Sequence, residues 1–185
     1  MTANNTPPAG PIGLPYTPSP DQPVTEWSEA IYAELKDWPP AANGIWERWE
    51  PDYLVLKISS LLGTPVEPIW IDTCEDELTV NFGYWEIHLP DDGIYDDTDS
   101  TRAAEAAKIL ALDWLDGRIS TAVYTDRNGK WCGSKLLEQP DDFSILADIE
   151  WIKDFGPTEV EVRKSLRSDW RKYQIIDGRL QSAPT

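Results

Sequence analysis

The chain has 185 residues, 33 acidic against 16 basic side chains, a net charge of −17 and ten tryptophans. That length suits one domain with a sizeable core. The charge argues against direct contact with nucleic acid or an anionic membrane surface, both of which need clustered cations, and for a cationic protein partner. The imbalance is lopsided: residues 1–100 carry 3 Lys/Arg against 19 Asp/Glu, residues 101–185 carry 13 against 14. Cys74 and Cys132 are too few for a disulfide framework. With a single histidine they are also too few for a structural zinc site. No leader-like segment and no apolar run of about 20 residues is visible, so a cytoplasmic protein is expected.

Residues 1–24 hold Pro7, Pro8, Pro11, Pro15, Pro18, Pro20 and Pro23 among small and polar residues. They read as a flexible tail that cannot bury enough apolar area to offset its ordering entropy, or as a polyproline ligand. A single α+β domain is expected over 25–180. Thr25 is a good N-cap, and Trp27, Ala30, Ile31, Leu35 and Trp38 mark one helical face that Pro39-Pro40 stop. A loop with Asn43-Gly44 then carries Trp46 and Trp49. Pro51 to Leu62 fits both periods; Pro51 at a first turn and Gly63 past the end favour a helix.

Glu67–Thr73 reads as a strand around Ile69, Trp70 and Ile71, forming an antiparallel hairpin with the next segment. That next segment is the centre of the chain. Leu78, Val80 and Phe82 alternate with Thr79 and Asn81, and after Gly83 the pattern restarts out of phase as Trp85, Ile87 and Leu89. Two readings follow: one long strand with a bulge at Gly83, or two strands broken there. Pro90 ends it and the acidic stretch Asp91–Asp99 follows, whose last residues can cap a helix over about 101–116 with Ala103, Ala106, Ala107, Leu110 and Trp114 inward. Leu112 and Leu115 widen that stripe.

Asn128-Gly129 between the strand-like runs Ile119–Thr125 and Lys130–Leu137 is the clearest hairpin signal, because both turn positions want positive φ. Gly133 in the second run marks a bulge or a close backbone approach. A short helix within 141–154 and a strand at Glu159–Arg163 complete the expected elements. The sum is a two-layer α+β fold, with three or four helices packed on an antiparallel sheet of four or five strands.

Chemistry-bearing motifs are scarce. Glu86 and His88 share a strand face and could form an acid/base pair, the basis of an enzymatic alternative; polar residues on the solvent side of a half-exposed sheet are the simpler account. The carboxylates of 91–99 lack the spacing of a calcium loop. A third use for them is contact with a basic partner, with carboxylates steering association and an aromatic anchor at the centre. The expected contact residues are Asp91, Asp92, Tyr95, Asp96 and Asp97, with Trp85 and other exposed tryptophans. Arg163–Lys172 could bind phosphate or RNA, but in so acidic a chain its pairing with the acidic half, residues 1–100, is expected. No catalytic residue, cofactor or metal is expected.

The runs Phe82-Gly83-x-Trp85-x-x-His88 and Asn128-Gly129-x-Trp131-Cys132-Gly133, together with the helix end Trp114–Gly117, resemble immunity proteins encoded beside bacterial polymorphic or contact-dependent toxins. The resemblance covers about Val66 to Glu138. Where such proteins often carry a histidine after the tryptophan, this chain has Glu86. The resemblance implies an acidic cytoplasmic protein that acts by binding a cognate toxin and occluding its active site. A nucleic-acid mimic that blocks a DNA-binding or defence protein would use the same electrostatics. Reversing the charge of Asp91, Asp92, Asp96 and Asp97 is expected to slow association with the partner and to remove its salt dependence, read by stopped-flow kinetics at two ionic strengths.

Overall fold

The computed structural model describes residues 14–21, 23–58, 68–89, 99–138, 143–165, 171–177 and 179–182. Among these the chain forms two antiparallel sheets, of six and five strands, with short helices on one face of each. The expected single sheet of four or five strands is therefore overturned, and the protein is sheet-rich.

The first sheet is a meander in which consecutive strands are neighbours: β1 (Leu14–Pro15), β2 (Ile45–Trp49), β3 (Tyr53–Ile58), β4 (Ile69–Asp72), β5 (Leu78–Phe82) and β6 (Trp85–Leu89). Two of these strands correct the sequence reading. Trp46 and Trp49 lie on β2 instead of a loop. Tyr53–Ile58 is a strand, not the start of a helix. Its run Leu54-Val55-Leu56 is buried on both faces, because β2 and β4 flank it and side chains on either pleat are covered. That continuous apolar run, with Pro51 belonging to the preceding turn, mimics helical spacing. Residues 59–67, the rest of that expected helix, lie outside the described residues.

The inner face of this sheet packs Leu56, Ile58, Ile69, Ile71, Leu78, Val80 and Phe82 against two helices. Helix α1 (Glu26–Leu35) starts where the Thr25 hydroxyl accepts from the Ser28 amide, and it contributes Trp27, Ile31 and Leu35. The short α2 (Pro39–Ala42) follows, with proline in the first turn as its missing N–H allows. Helix α3 (Ser100–Leu115) is capped by Asp99, whose carboxylate accepts from the Arg102 amide at 3.1 Å. Its buried stripe is Ala103, Ala104, Ala107, Ala111 and Trp114. Ala103, Ala107 and Trp114 are inward as expected, but Ala104 and Ala111 take the places expected for Ala106 and Leu110, which are only partly covered, and Leu112 is exposed. Alanines there let the helix lie close to its neighbours, while Trp114 supplies the bulk at the end.

The second sheet has the order β11-β10-β9-β7-β8, from β7 (Ser120–Asp126), β8 (Trp131–Leu137), β9 (Pro157–Arg163), β10 (Arg171–Ile176) and β11 (Arg179–Ser182). The hairpin expected around Asn128-Gly129 forms, but only Gly129 takes a positive φ, at 75°; the turn closes over Arg127-Asn128, where the Gly129 amide donates to the Asp126 carbonyl at 2.9 Å. Asp126 organises it by accepting from the Asn128 and Lys130 amides, and these bonds hold its carboxyl below the usual range. The pairing slips between Tyr124 and Thr125, leaving Cys132 as the extra residue of a bulge. Ala122, Tyr124, Leu137, Val160, Val162 and Tyr173 form a second core against Leu146 and Ile152, from α4 (Phe143–Ala147) and the 3-10 helix Glu150–Phe155. The final hairpin β10–β11 had no expected counterpart. Its polar-rich strands offer weak alternation.

The two sheets meet at the turn between β5 and β6. Gly83 and Tyr84 both have positive φ, 56° and 65°, so Phe82 and Trp85 face each other across a two-residue hairpin. The second of the two sequence readings holds here, and it explains the phase change without a bulge. The Gly83 carbonyl accepts from the buried Thr121 hydroxyl of β7 at 2.9 Å. The Tyr84 carbonyl accepts from the Ser134 hydroxyl of β8, and the Arg163 guanidinium of β9 lies 4.4 Å from the Tyr84 ring centre. Beneath the turn, Phe82 stacks on Trp114 with ring centres 4.6 Å apart.

A side chain on Gly83 has no room: its Cβ would lie 2.4 Å from Thr121 Oγ1 and 2.9 Å from Trp114 Cη2. Gly117, also at positive φ, has nothing within 4 Å. Gly83→Ala is therefore expected to cost about 3–5 kcal/mol, from left-handed backbone plus overpacking, while Gly117→Ala costs about 1 kcal/mol. Urea unfolding of the two variants checks the difference.

Candidate functional site

Beside that turn the edge strands β6 and β8 diverge and open a cleft of about 560 Å3. Asn81, Tyr84, Trp85 and Glu86 form one wall. The other is Trp131–Ser134 of β8 with Trp151, Ile152 and Phe155 of the 3-10 helix. A smaller hollow of about 340 Å3 shares Asn81, Tyr84 and Trp85 and reaches Trp70.

The aromatic residues of this cleft are held from behind and left open in front. Trp151 donates from Nε1 to the Asp148 carbonyl at 3.1 Å, and its ring meets Tyr124 edge-on at 5.7 Å. Gly133 lets it come close, since a Cβ there would sit 2.8 Å from the Trp151 ring. That is the close backbone approach the glycine was expected to mark. Even so, Trp151 is 46 % exposed, Trp131 53 %, Tyr84 52 % and Phe155 66 %. A concave surface with this much exposed ring area on a fixed scaffold is unusual for a monomer and typical of a binding site. Tyr84 adds a second sign. It occupies a left-handed position that costs an L-residue with a large side chain about 1 kcal/mol, where turns of this type prefer Gly or Asn. Strain of this kind concentrates at functional places.

Cys132 lines the same cleft, with Sγ 3.6 Å from the carbonyl oxygens of Lys130 and Phe155. Burial pushes its thiol pKa up, with Asp126 adding to the rise, so the thiol form dominates at neutral pH and nucleophilicity is low.

Of the expected contact residues, Trp85 is here, partly buried, its ring 5.3 Å from Phe82 and one side on the cleft. Asp91, Asp92, Tyr95, Asp96 and Asp97 lie outside the described residues. The sequence reading singled out Trp131 only as part of a hairpin, and passed over Tyr84, Trp151 and Phe155. A usable signal existed. Trp151 and Phe155 are four apart and fall off the apolar face set by Ile145, Ile149 and Ile152, so they point away from the core.

Glu86 and His88 both lie exposed on one outer face of the sheet, as the simpler account has it, and the alternative acid/base pair is not formed. His88 Nδ1 instead lies 2.7 Å from Glu77 Oε2 and 3.0 Å from Thr79 Oγ1, across the β5–β6 ladder. Both His88 and Glu77 are more than half exposed, which makes this a weak surface pair. Beside it Asp72 is half-buried, and burial raises its pKa against the opposing influence of the Cys74 amide.

The same outer face carries a compact charge cluster. Lys57 Nζ lies 4.5 Å from the Trp70 ring centre and 5.3 Å from that of Trp49, and 2.7 Å from Glu47 Oε2. Trp49 also donates to that carboxylate at 2.9 Å. Burial alone would raise the Glu47 pKa; the bonds from Lys57 and Trp49 outweigh it and hold the carboxyl below the usual range. In the second sheet Lys172 and Arg163 pair with Glu161 at 2.9 and 2.8 Å, which raises the Lys172 pKa. For these two cations of the basic C-terminal segment, the carboxylate partners lie in their own sheet. No cluster of three or more metal-ligating side chains occurs among the described residues, and none of the helices there is long and apolar enough to cross a membrane.

No protein-family model, curated protein or solved structure matches this chain.

The raised Asp72 pKa has a signed consequence. The folded state holds its proton more tightly than the unfolded state, so stability falls as pH rises from the ordinary carboxylate value through the raised one, and the penalty is complete above it. Asp72→Asn is expected to raise Tm at pH 7 relative to the parent, with the gain shrinking below about pH 4. Thermal melts at the two pH values check this.

Proposed function

We propose that this chain is a binding protein that neutralises a cationic partner, most concretely an immunity protein that seats on a bacterial toxin and covers its active site. The observation that carries this reading is the cleft lined by the exposed aromatic residues Tyr84, Trp131, Trp151 and Phe155 in a chain of net charge −17. Trp and Tyr concentrate binding energy at interfaces because each buries a large area at small entropic cost. The surplus negative charge brings a positive surface up quickly and repels acidic competitors. A toxin that cleaves nucleic acid must itself carry a basic cleft for its substrate, and an acidic chain complements that cleft. Under this proposal Asp91, Asp92, Tyr95, Asp96 and Asp97, which lie outside the described residues, supply further contacts to the basic partner.

Catalysis is the poorer account of the same residues. The thiol of Cys132 is held protonated, and the histidine sits on the outer face of the first sheet, paired with Glu77.

The test is to identify the protein encoded by the neighbouring gene, where a toxin domain is expected, and to measure its binding to this chain and the rescue of growth. Stable 1:1 association and rescue are expected. Trp131→Ala and Phe155→Ala are each expected to weaken binding about tenfold or more. Tyr84→Asn is expected to weaken it with Tm changed little, since the relief of backbone strain offsets the loss of the ring's contact with Arg163. No association with that neighbour, or binding unaltered by all three substitutions, contradicts the proposal. Inhibition of several unrelated DNA-binding proteins would instead favour a nucleic-acid mimic.

A further inference from the structure

The cleft combines two chemistries: exposed aromatic residues and one exposed carboxylate, Glu86, the sole charged side chain of its lining among the described residues. Ring faces are electron-rich and attract cations, most strongly when water is partly excluded. A carboxylate at the rim adds a charge-assisted hydrogen bond for a guanidinium or ammonium group. An anionic ligand would meet Glu86, while the nearby Arg163 is already engaged by Glu161 and the Tyr84 ring. A purely apolar ligand would leave Glu86 and Asn81 partly desolvated without a partner.

The chain has already built this kind of site twice for its own cations. On the outer face of the first sheet, Lys57 sits between the rings of Trp49 and Trp70 and against Glu47. At the cleft's own edge, the Arg163 guanidinium lies over Tyr84. The cleft repeats the components, indole rings and a single carboxylate, and among the described residues its lining contains no lysine or arginine.

We infer that the cleft is a receptor for a cationic side chain of the partner, an arginine or lysine inserted between Trp131 and Trp151 with its charge toward Glu86. This rests on the binding reading above and names what that site takes. The partner's residue would reach across the gap between β6 and β8, its aliphatic stem on Phe155 and its head among the rings. An arginine fits best, because a planar guanidinium can stack on an indole and bond a carboxylate in one geometry.

The test needs no partner, so it can fail independently of the proposed function. N-acetyl-arginine amide is titrated into the full-length 15N-labelled chain, with N-acetyl-citrulline amide as a neutral probe of the same shape. The indole Nε1–H signals of Trp131 and Trp151 are followed, assigned by single Trp→Phe substitutions. The inference expects saturable shifts of both signals with the arginine compound in the millimolar range, weakened by salt, and at least tenfold weaker binding of the citrulline compound. Glu86→Gln, at an exposed position away from the core, is expected to weaken the arginine compound at least threefold and leave the citrulline compound unchanged. Equal affinity for the two compounds, no response of the two indoles, or an arginine affinity untouched by Glu86→Gln each overturn it. Should any of these occur while Trp131→Ala still releases the protein partner, the cleft remains the docking site and only the cationic occupant is rejected.

Discussion

The two-residue turn Gly83-Tyr84 is the constraint on which the molecule depends. It closes the last hairpin of the first sheet, and through its two carbonyls and one ring it is fixed to three strands of the second. Beneath it Phe82 and Trp114 stack, which ties the end of α3 to the same point. Ser165, just past β9, lies within hydrogen-bond distance of the Trp114 and Leu115 carbonyls and so holds that helix end to the second sheet as well. Each sheet has its own core and its own helical cover. The turn is where the two become one structure, and the cleft exists because two edge strands are pinned at one end and diverge from there.

Much of this arrangement can be read from the residues, and the failures have physical causes. The Asn128-Gly129 hairpin, the Asp99-capped helix and the Ile69–Asp72 strand declare themselves through turn chemistry, capping and alternation. Tyr53–Ile58 does not, since a strand buried on both faces shows a continuous apolar run with no period of two. Gly83 is flagged by the phase change, but whether a glycine there makes a bulge or a turn depends on Tyr84 also adopting positive φ, which a tyrosine side chain gives no reason to expect. Counting sheets was harder still. The strands of both sheets alternate alike, and which pair with which is a matter of long-range packing.

The site follows the same rule. Its aromatic members come from three separate stretches, 84–85, 131 and 151–155, and become neighbours only when the turn docks. Trp85 was legible as a half-exposed strand residue and Trp131 as a hairpin residue. Their shared surface was not, because it is a property of the junction. The charge imbalance, in contrast, needs no structure, and it points to the same class of partner as the ring-and-carboxylate chemistry of the cleft.

Native-state hydrogen exchange measures most directly whether the turn makes the two sheets a single unit. The amides of β4 and β5 and those of β7 and β9 are compared for opening free energy over a series of low urea concentrations. The account predicts that both sets converge on one value with one urea dependence, because neither sheet opens while the turn is docked. A second sheet that opens at a distinctly lower free energy, with the first sheet still protected, would contradict it.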